Sequence, residues 1–149
     1  MPDAIGLFDP DRVAVVGGTE REGSIGRAIM ENLESFVGAL VPVNPKHETV
    51  LGRPAVSDVS EIEGAIDLAV VVVPPKIAIE ATRTLGEQGV ENVVVITAGF
   101  GEAGSEGATR ERELTSIARE YDMNLVGPNS LGVMSTPKQL NATFGPANA

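Results

Sequence analysis

Cysteine is absent from the 149 residues, and so is tryptophan. No disulfide, thiolate nucleophile, iron–sulfur cluster or cysteine-bound zinc site is therefore open to this chain. A cysteine-free chain fits a reducing compartment, and the expected location is the cytoplasm. Histidine occurs once, as His47. That excludes a multi-histidine metal centre, and a Ser-His-Asp triad would have to use this one residue. His47 reads as a loop histidine beside Lys46, and no metal site or catalytic residue is expected. Aromatic residues make up only 3%, too few for stacking platforms that hold single-stranded nucleic acid. Positive charge is scarce, with 11 basic residues against 21 acidic and a net charge of −10. Nucleic acid and anionic membranes are thus poor partners for the surface as a whole. The only lysines are Lys46, Lys76 and Lys138. A surface rich in carboxylates and poor in lysine is ordinary for an acidic protein and also suits a halophilic one. No apolar run approaches the roughly 20 residues that cross a bilayer. The first residues, Met-Pro-Asp-Ala-Ile-Gly, lack the basic and apolar regions of a signal peptide.

Hydrophobic residues make up 42%, enough for a core. A single domain of this length should bury roughly 70% of the surface its unfolded chain exposes. The stretch that organises the chain runs from Val13 to Gly26. Val13 to Val16 is an uninterrupted apolar run, as expected of a parallel strand covered on both faces. Gly17 and Gly18 follow, permitting a turn and close approaches that side chains forbid. Ile25, Ile29, Leu33 and Phe36 then recur at helical spacing, predicting a helix over 25–36. A helix that follows a strand and a glycine turn offers free N–H groups and a positive dipole end to a phosphate.

The rest alternates in the same way. Residues 1–12 read as a lead-in, with Leu7 and Phe8 able to pack on the domain. Ala39–Val43 is a second strand, stopped by Asn44-Pro45. Residues 49–54 read as an irregular link, and 57–64 as a short helix capped by Ser57 or Ser60. Leu68–Val73 is the most apolar run and predicts a central strand ended by Pro74-Pro75. Ile77, Ala81 and Leu85 form a helical stripe closed by Gly89. Asn92–Thr97 is a strand, followed by a glycine-rich loop over 98–107. Leu114, Ile117, Ala118 and Tyr121 mark another helix, and Asn124–Val126 a last short strand. The expected fold is α/β, a Rossmann-like doubly wound parallel sheet in a single domain over 1–134. Residues 135–149 show no period and read as a linker toward a further domain outside these residues.

In such a sheet, ligands bind beyond the carboxyl ends of the strands. Gly17-Gly18-Thr19, Asn44-Pro45-Lys46, Pro74-Pro75-Lys76, Ala98-Gly99-Phe100 and Gly127-Pro128-Asn129 all fall there. Loops are rich in such residues anyway, but five in register along one edge favour a ligand site. The chain does not match the ordinary NAD fingerprint. That fingerprint needs Gly-x-Gly-x-x-Gly and an acidic residue about 20 positions later. Here the turn is longer and the second strand closes on Lys46. A lysine at that point favours a phosphate on the ribose, as in NADP or coenzyme A. The P-loop pattern is missing, which argues against a Walker-type ATPase. Glu102 and Glu106 read as solvated carboxylates.

Several stretches in order carry a resemblance. They are Val-Gly-Gly-Thr (16–19), Gly-Ser-Ile-Gly (23–26), Val-Pro-Val-Asn-Pro-Lys (41–46), Val-Val-Val-Pro-Pro (71–75), Ile-Thr-Ala-Gly-Phe-Gly-Glu (96–102) and Gly-Pro-Asn-Ser-Leu-Gly-Val (127–133). With them the chain resembles the N-terminal CoA-binding domain of ADP-forming acyl-CoA synthetases of the acetate–CoA ligase type. It is also similar to the succinyl-CoA synthetase α subunit. The resemblance implies that Gly18, Thr19, Gly23, Ser24, Ile25 and Gly26 hold the CoA phosphates, with Ser24 capping the helix. It implies Lys46, with Asn44 and Pro45, at the 3′-phosphate. Val73, Pro74 and Pro75 would line the path of the pantetheine arm, Ile96, Thr97 and Ala98 would touch it further on, and Asn129 would lie near the thiol. Where the succinyl-CoA synthetase α subunit has a glutamate, this chain has Ala98. The family converts acyl-CoA, ADP and phosphate to acid, CoA and ATP through a phosphorylated histidine. That histidine, the nucleotide and its magnesium belong to other domains, so other domains or subunits are the implied partners and this stretch alone is silent in catalysis. Two other readings share the fold: an NADP- or NAD-binding domain of an oxidoreductase or redox sensor, and a stand-alone regulatory CoA-binding protein or part of an acetyltransferase.

Overall fold

The computed structural model describes residues 10–96 and 104–127, together with two backbone strands at 132–135 and 140–143. Five short strands make one fully parallel sheet. They are β1 (Arg12–Val16), β2 (Ala39–Val43), β5 (Leu68–Val71), β6 (Asn92–Val95) and β7 (Asn124–Val126), in the spatial order β2-β1-β5-β6-β7. The register pairs Val13 with both Leu40 and Leu68, and Val70 with Val94. Strand order reverses between β1 and β5, which makes their carboxyl ends the topological switch point.

Alternation along the strands builds two cores. Val13, Val15, Leu68, Val70, Val94 and Ile96 face helix α1 (Ile25–Asn32), meeting Ile29, Met30 and Leu33. Ala14, Val16, Ala69, Val71, Val93 and Val95 face the other way. They pack against α2 (Pro75–Glu87) and α3 (Ser105–Glu120) through Ala78, Ala81, Leu85, Leu114 and Ile117. Leu85 and Leu114 are fully buried, and truncating either to alanine should cost about 2–5 kcal/mol. At the amino edge the Asp67 carboxylate accepts from the N–H groups of Asp11 and Arg12 at 3.0 and 2.9 Å. Asn92 donates to the Asp67 carbonyl at 3.2 Å and accepts from Asn124 at 2.9 Å, so the strand starts are laced together.

Several expectations need correction. Helix α1 stops at Asn32, four residues early, and Phe36 is buried from a turn beyond it. Ile25 is 45% exposed: at the first helical position it lies past the end of β1, where no sheet remains to cover it. Residues 49–54 are a hairpin, β3 (Thr49–Val50) and β4 (Arg53–Pro54). Its turn residues, Leu51 and Gly52, have φ of 48° and 80°. Both positive values make the tight turn that suits strand twist, and Leu51 accepts that conformation while packing on the α1-side core. Residues 57–64 hold only a 3₁₀ turn at Val59–Glu61, capped by Asp58 through the Ser60 N–H at 3.0 Å, not by either serine. Leu140–Thr143 is not featureless linker: it forms β9, antiparallel to β8 (Gly132–Ser135). Four-residue strands are too short for a period to show. Leu7 and Phe8 lie outside the described residues.

Candidate functional site

The glycine turn after β1 has no room for side chains. Gly17 has φ of +100°, and a Cβ on it would lie 2.3 Å from the carbonyl oxygen of Val72. A Cβ on Gly26, in the first turn of α1, would lie 2.3 Å from the carbonyl oxygen of Gly17. The turn is thus clamped between the exit of β5 and the start of α1. The Gly17 N–H donates to the Val43 carbonyl at 3.0 Å, which extends the sheet ladder into the turn.

Asn44 joins this turn to the next one. Its side chain is buried, donates to the Gly18 carbonyl at 3.0 Å and accepts from the Lys46 N–H at 2.8 Å. The second bond closes a local turn of the kind asparagine favours. A single satisfied amide therefore holds Lys46 beside the glycine turn.

Between these turns, the exit of β5 and α2 lies a groove of about 910 Å³. That is within the range of small-molecule sites, and its place is the switch point. Thr19, Asn44, Pro45, Lys46, Val73 and Pro74 line it together. Gly18 and Gly26 are buried behind it as frame. Gly23, Ser24 and Ile25 are not on its wall. They border a separate depression of about 500 Å³ with Arg27 and Glu31. The Ser24 hydroxyl is engaged there as helix cap, donating to the Arg21 carbonyl at 2.6 Å and accepting from the Arg27 N–H at 3.2 Å. Pro75 is the first residue of α2 and lies off the groove wall. Ile96 is 3% exposed and belongs to the α1-side core, because strand alternation turns it away from α2. Thr97, Ala98 and Asn129 fall outside the described residues, as does Glu102. Glu106 lies on α3, 4.0 Å from Arg110, and takes no part in the groove.

Other groove residues escaped the sequence reading. His47 and Arg21 add to Lys46 at the turns, beside Glu20; Asp58, Ile77 and Glu80 lie on the walls formed by the 3₁₀ turn and α2. The hydroxyl of Ser60, then its N–H, hold the Asp58 carboxyl below the usual carboxylate range, so it is ionised at neutral pH. The adjacency of His47 to Lys46 was a signal for the one. The exposure of Ile77 was not visible in a stripe that matched a buried helix face. Among the described residues no group of three or more histidine and acidic side chains is placed to hold a metal ion. Among the same residues no helix is long and apolar enough to cross a membrane.

Comparison with known proteins agrees on the fold and narrows the family. Residues 11–136 match the family model described as CoA binding domain. The chain is 48% identical over 138 residues to an ADP-forming acetate–CoA ligase I of Archaeoglobus fulgidus, covering 93% of this chain and 20% of the relative. It is 45% identical over 139 residues to the α subunit of ADP-forming acetate–CoA ligase II of Pyrococcus furiosus, covering 93% and 30%. Among solved structures, the dinucleotide-forming acetyl-coenzyme A synthetase 1 of Ca. Korarchaeum cryptofilum, in complex with phosphate and ADP, superposes with a TM-score of 0.93. There the identity is 38%, over 100% of this chain and 32% of that one. The chain thus spans about a fifth to a third of these relatives. A parallel sheet wound on both faces, a glycine turn at its switch point and a family match across most of its length place the chain in the CoA binding domain family.

Proposed function

We propose that the groove binds coenzyme A, and that the chain is the CoA-holding part of an ADP-forming acid–CoA ligase whose other domains or subunits carry the chemistry. Residues 1–134 form the binding domain in this reading, and the chain beyond leads toward the remainder of a cytoplasmic enzyme. The carrying observation is the Asn44 bridge, which sets a lysine beside a side-chain-free turn at the switch point. CoA needs both: close backbone approach for its diphosphate, and a cation for the 3′-phosphate that distinguishes it from simple adenine nucleotides. Thr19, at the side-chain-free turn, is the group for the diphosphate, Lys46 for the 3′-phosphate, and Val73 with Pro74 for the start of the pantetheine arm. The separate depression at Gly23, Ser24 and Ile25 shifts weight from those residues to Thr19. This chain would bind and orient CoA; the transfer between acyl group, phosphate and ADP is left to groups outside it.

Calorimetric titration with CoA, 3′-dephospho-CoA, NADP and NAD tests the reading. CoA is expected to bind, and removal of its 3′-phosphate to weaken binding about tenfold, or ~1.4 kcal/mol. Equal affinity for both forms would remove the role given to Lys46. Binding of NADP with none of CoA would overturn the assignment of the groove.

A further inference from the structure

Thr19, Glu20 and Arg21 reach the groove from a loop that ends at Ser24, the cap of α1. Residues 20–23 are all exposed, so no apolar burial holds this loop down. Hydrogen bonds must do so, and most of those described are local. The Arg21 N–H donates to the Thr19 hydroxyl at 3.2 Å. The Ser24 hydroxyl and N–H donate to the Arg21 carbonyl at 2.6 and 3.3 Å. These bonds span two or three residues and shape the loop without fixing where it lies. Arg27 is different. From α1 its guanidinium donates to the Glu20 carbonyl at 2.6 Å, 7 residues back along the chain.

Helix stability does not account for Arg27. It is in the first turn of α1, where a cation opposes the positive end of the helix dipole. Its ion pair with Glu31, 3.6 Å at i,i+4, has the basic residue on the amino-terminal side, which is the less favourable order. The Glu31 side chain is 50% exposed, so the pair is worth little. What the guanidinium gains is the loop. Thr19 already rests close to α1, since a Cβ on Gly26 would lie 3.1 Å from its Cγ2. Arg27 itself borders the depression behind the loop and does not line the groove.

We propose that Arg27 is a positioning residue: from outside the groove it fastens the 19–24 loop to α1 and so keeps Thr19 and Arg21 at the groove wall. The inference rests on the CoA reading above. A fastened loop and a loose one are two states of one equilibrium. The fastened fraction scales CoA affinity, and the loose fraction scales the rate at which trypsin cuts after Arg21. A charge-assisted hydrogen bond at a partly exposed site biases that equilibrium about tenfold. Its loss must be shared between the two readings. The fold gain in cleavage multiplied by the fold loss in affinity should therefore be about ten.

The test compares the wild type, Arg27→Met and Glu31→Gln. Methionine keeps a long stem and the helix propensity but loses the donors. Glu31→Gln removes the ion pair and leaves the bond to the Glu20 carbonyl. Each protein is titrated calorimetrically with CoA. Without ligand, each is digested with trypsin while mass spectrometry follows the fragment that ends at Arg21. Arg27→Met should bind CoA about two- to fivefold more weakly and be cut about two- to fivefold faster, at an unchanged melting temperature. Glu31→Gln should match the wild type in both readings. Unchanged CoA affinity in Arg27→Met, weaker binding without faster cleavage, an equal rise in cleavage at every basic residue, or the same changes in Glu31→Gln would each overturn the proposal. A wild type that does not bind CoA, with Arg27→Met still cut faster, would instead overturn the CoA reading and leave the fastening in place; unchanged cleavage as well would remove both.

Discussion

Gly26→Ala sets helix propensity against packing, and the two predict opposite signs. Alanine is the better helix former, by about 1 kcal/mol in a helix interior and less in the first turn. Against this, the new Cβ would stand 2.3 Å from the Gly17 carbonyl oxygen and 3.1 Å from Thr19 Cγ2. Real Cβ contacts do not fall below 3.0 Å, so α1 or the turn must move by ~0.7 Å. The turn cannot yield cheaply. Gly17 is tied to Val43 through its N–H at 3.0 Å, and its own φ of +100° leaves it against the Val72 carbonyl. Overpacking of this kind costs about 1–3 kcal/mol. The net expectation is a loss of ~1–2 kcal/mol, which for a domain of this size lowers the melting temperature by about 2–8 °C. Because the displaced atoms are the turn beside Thr19, CoA affinity should fall with it. Thermal melting followed by circular dichroism, with calorimetry on the folded variant, reads both. A variant as stable as the wild type that binds CoA equally well would refute the clamp and the turn's part in binding together.

Three further outcomes follow from the same contacts. Asn44→Ala strands the Gly18 carbonyl and the Lys46 N–H, so denaturant unfolding should show a loss of about 2–3 kcal/mol. Asp58 titrates low because Ser60 bonds its ionised form, so its contribution is complete above the unfolded-state pKa of about 3.9 and is lost as pH falls through the lower folded value. Ser60→Ala should therefore destabilise the protein at neutral pH and flatten its acid-side stability profile; an unaltered profile would dismiss the hydroxyl's part in holding Asp58 ionised. With a net charge of −10, melting temperature should climb as potassium chloride screens the surface, and a protein fully stable in very low salt is not a halophilic one.

The legible parts of the fold were those with a period. Val13–Val16, Leu68–Val71 and Asn92–Val95 read as buried strands because both faces are covered, and α2 and α3 because their stripes are long. What escaped was short or paired at a distance. The Leu51-Gly52 turn depends on a leucine taking positive φ, against its preference, because the hairpin seats it on the core. The pairing of Gly132–Ser135 with Leu140–Thr143 has no signal within either segment. At the site, Lys46, Asn44 and Thr19 were legible as strand-end residues. Ile77 was misread because its spacing to Ala81 and Leu85 is that of a buried stripe; only the groove opening above the first turn of α2 leaves it uncovered.

Two kinds of residue make up the groove, and they should separate under mutation. Gly17, Gly26 and Asn44 shape it through backbone contacts and hydrogen bonds that the empty protein already makes, so their loss reaches stability first and binding through it. Lys46 is exposed and stands on that frame, so its loss should reach binding alone. Asn44 couples the two sets, since one of its two bonds is to the Lys46 backbone. In a double-mutant cycle on CoA affinity, Asn44→Ala and Lys46→Ala should cost less together than the sum of each alone: once the turn no longer holds Lys46 in place, deleting its ammonium removes little more. Strict additivity would mean that Lys46 meets the ligand whether or not Asn44 positions it, and the bridge would then be a stabilising bond with no part in recognition.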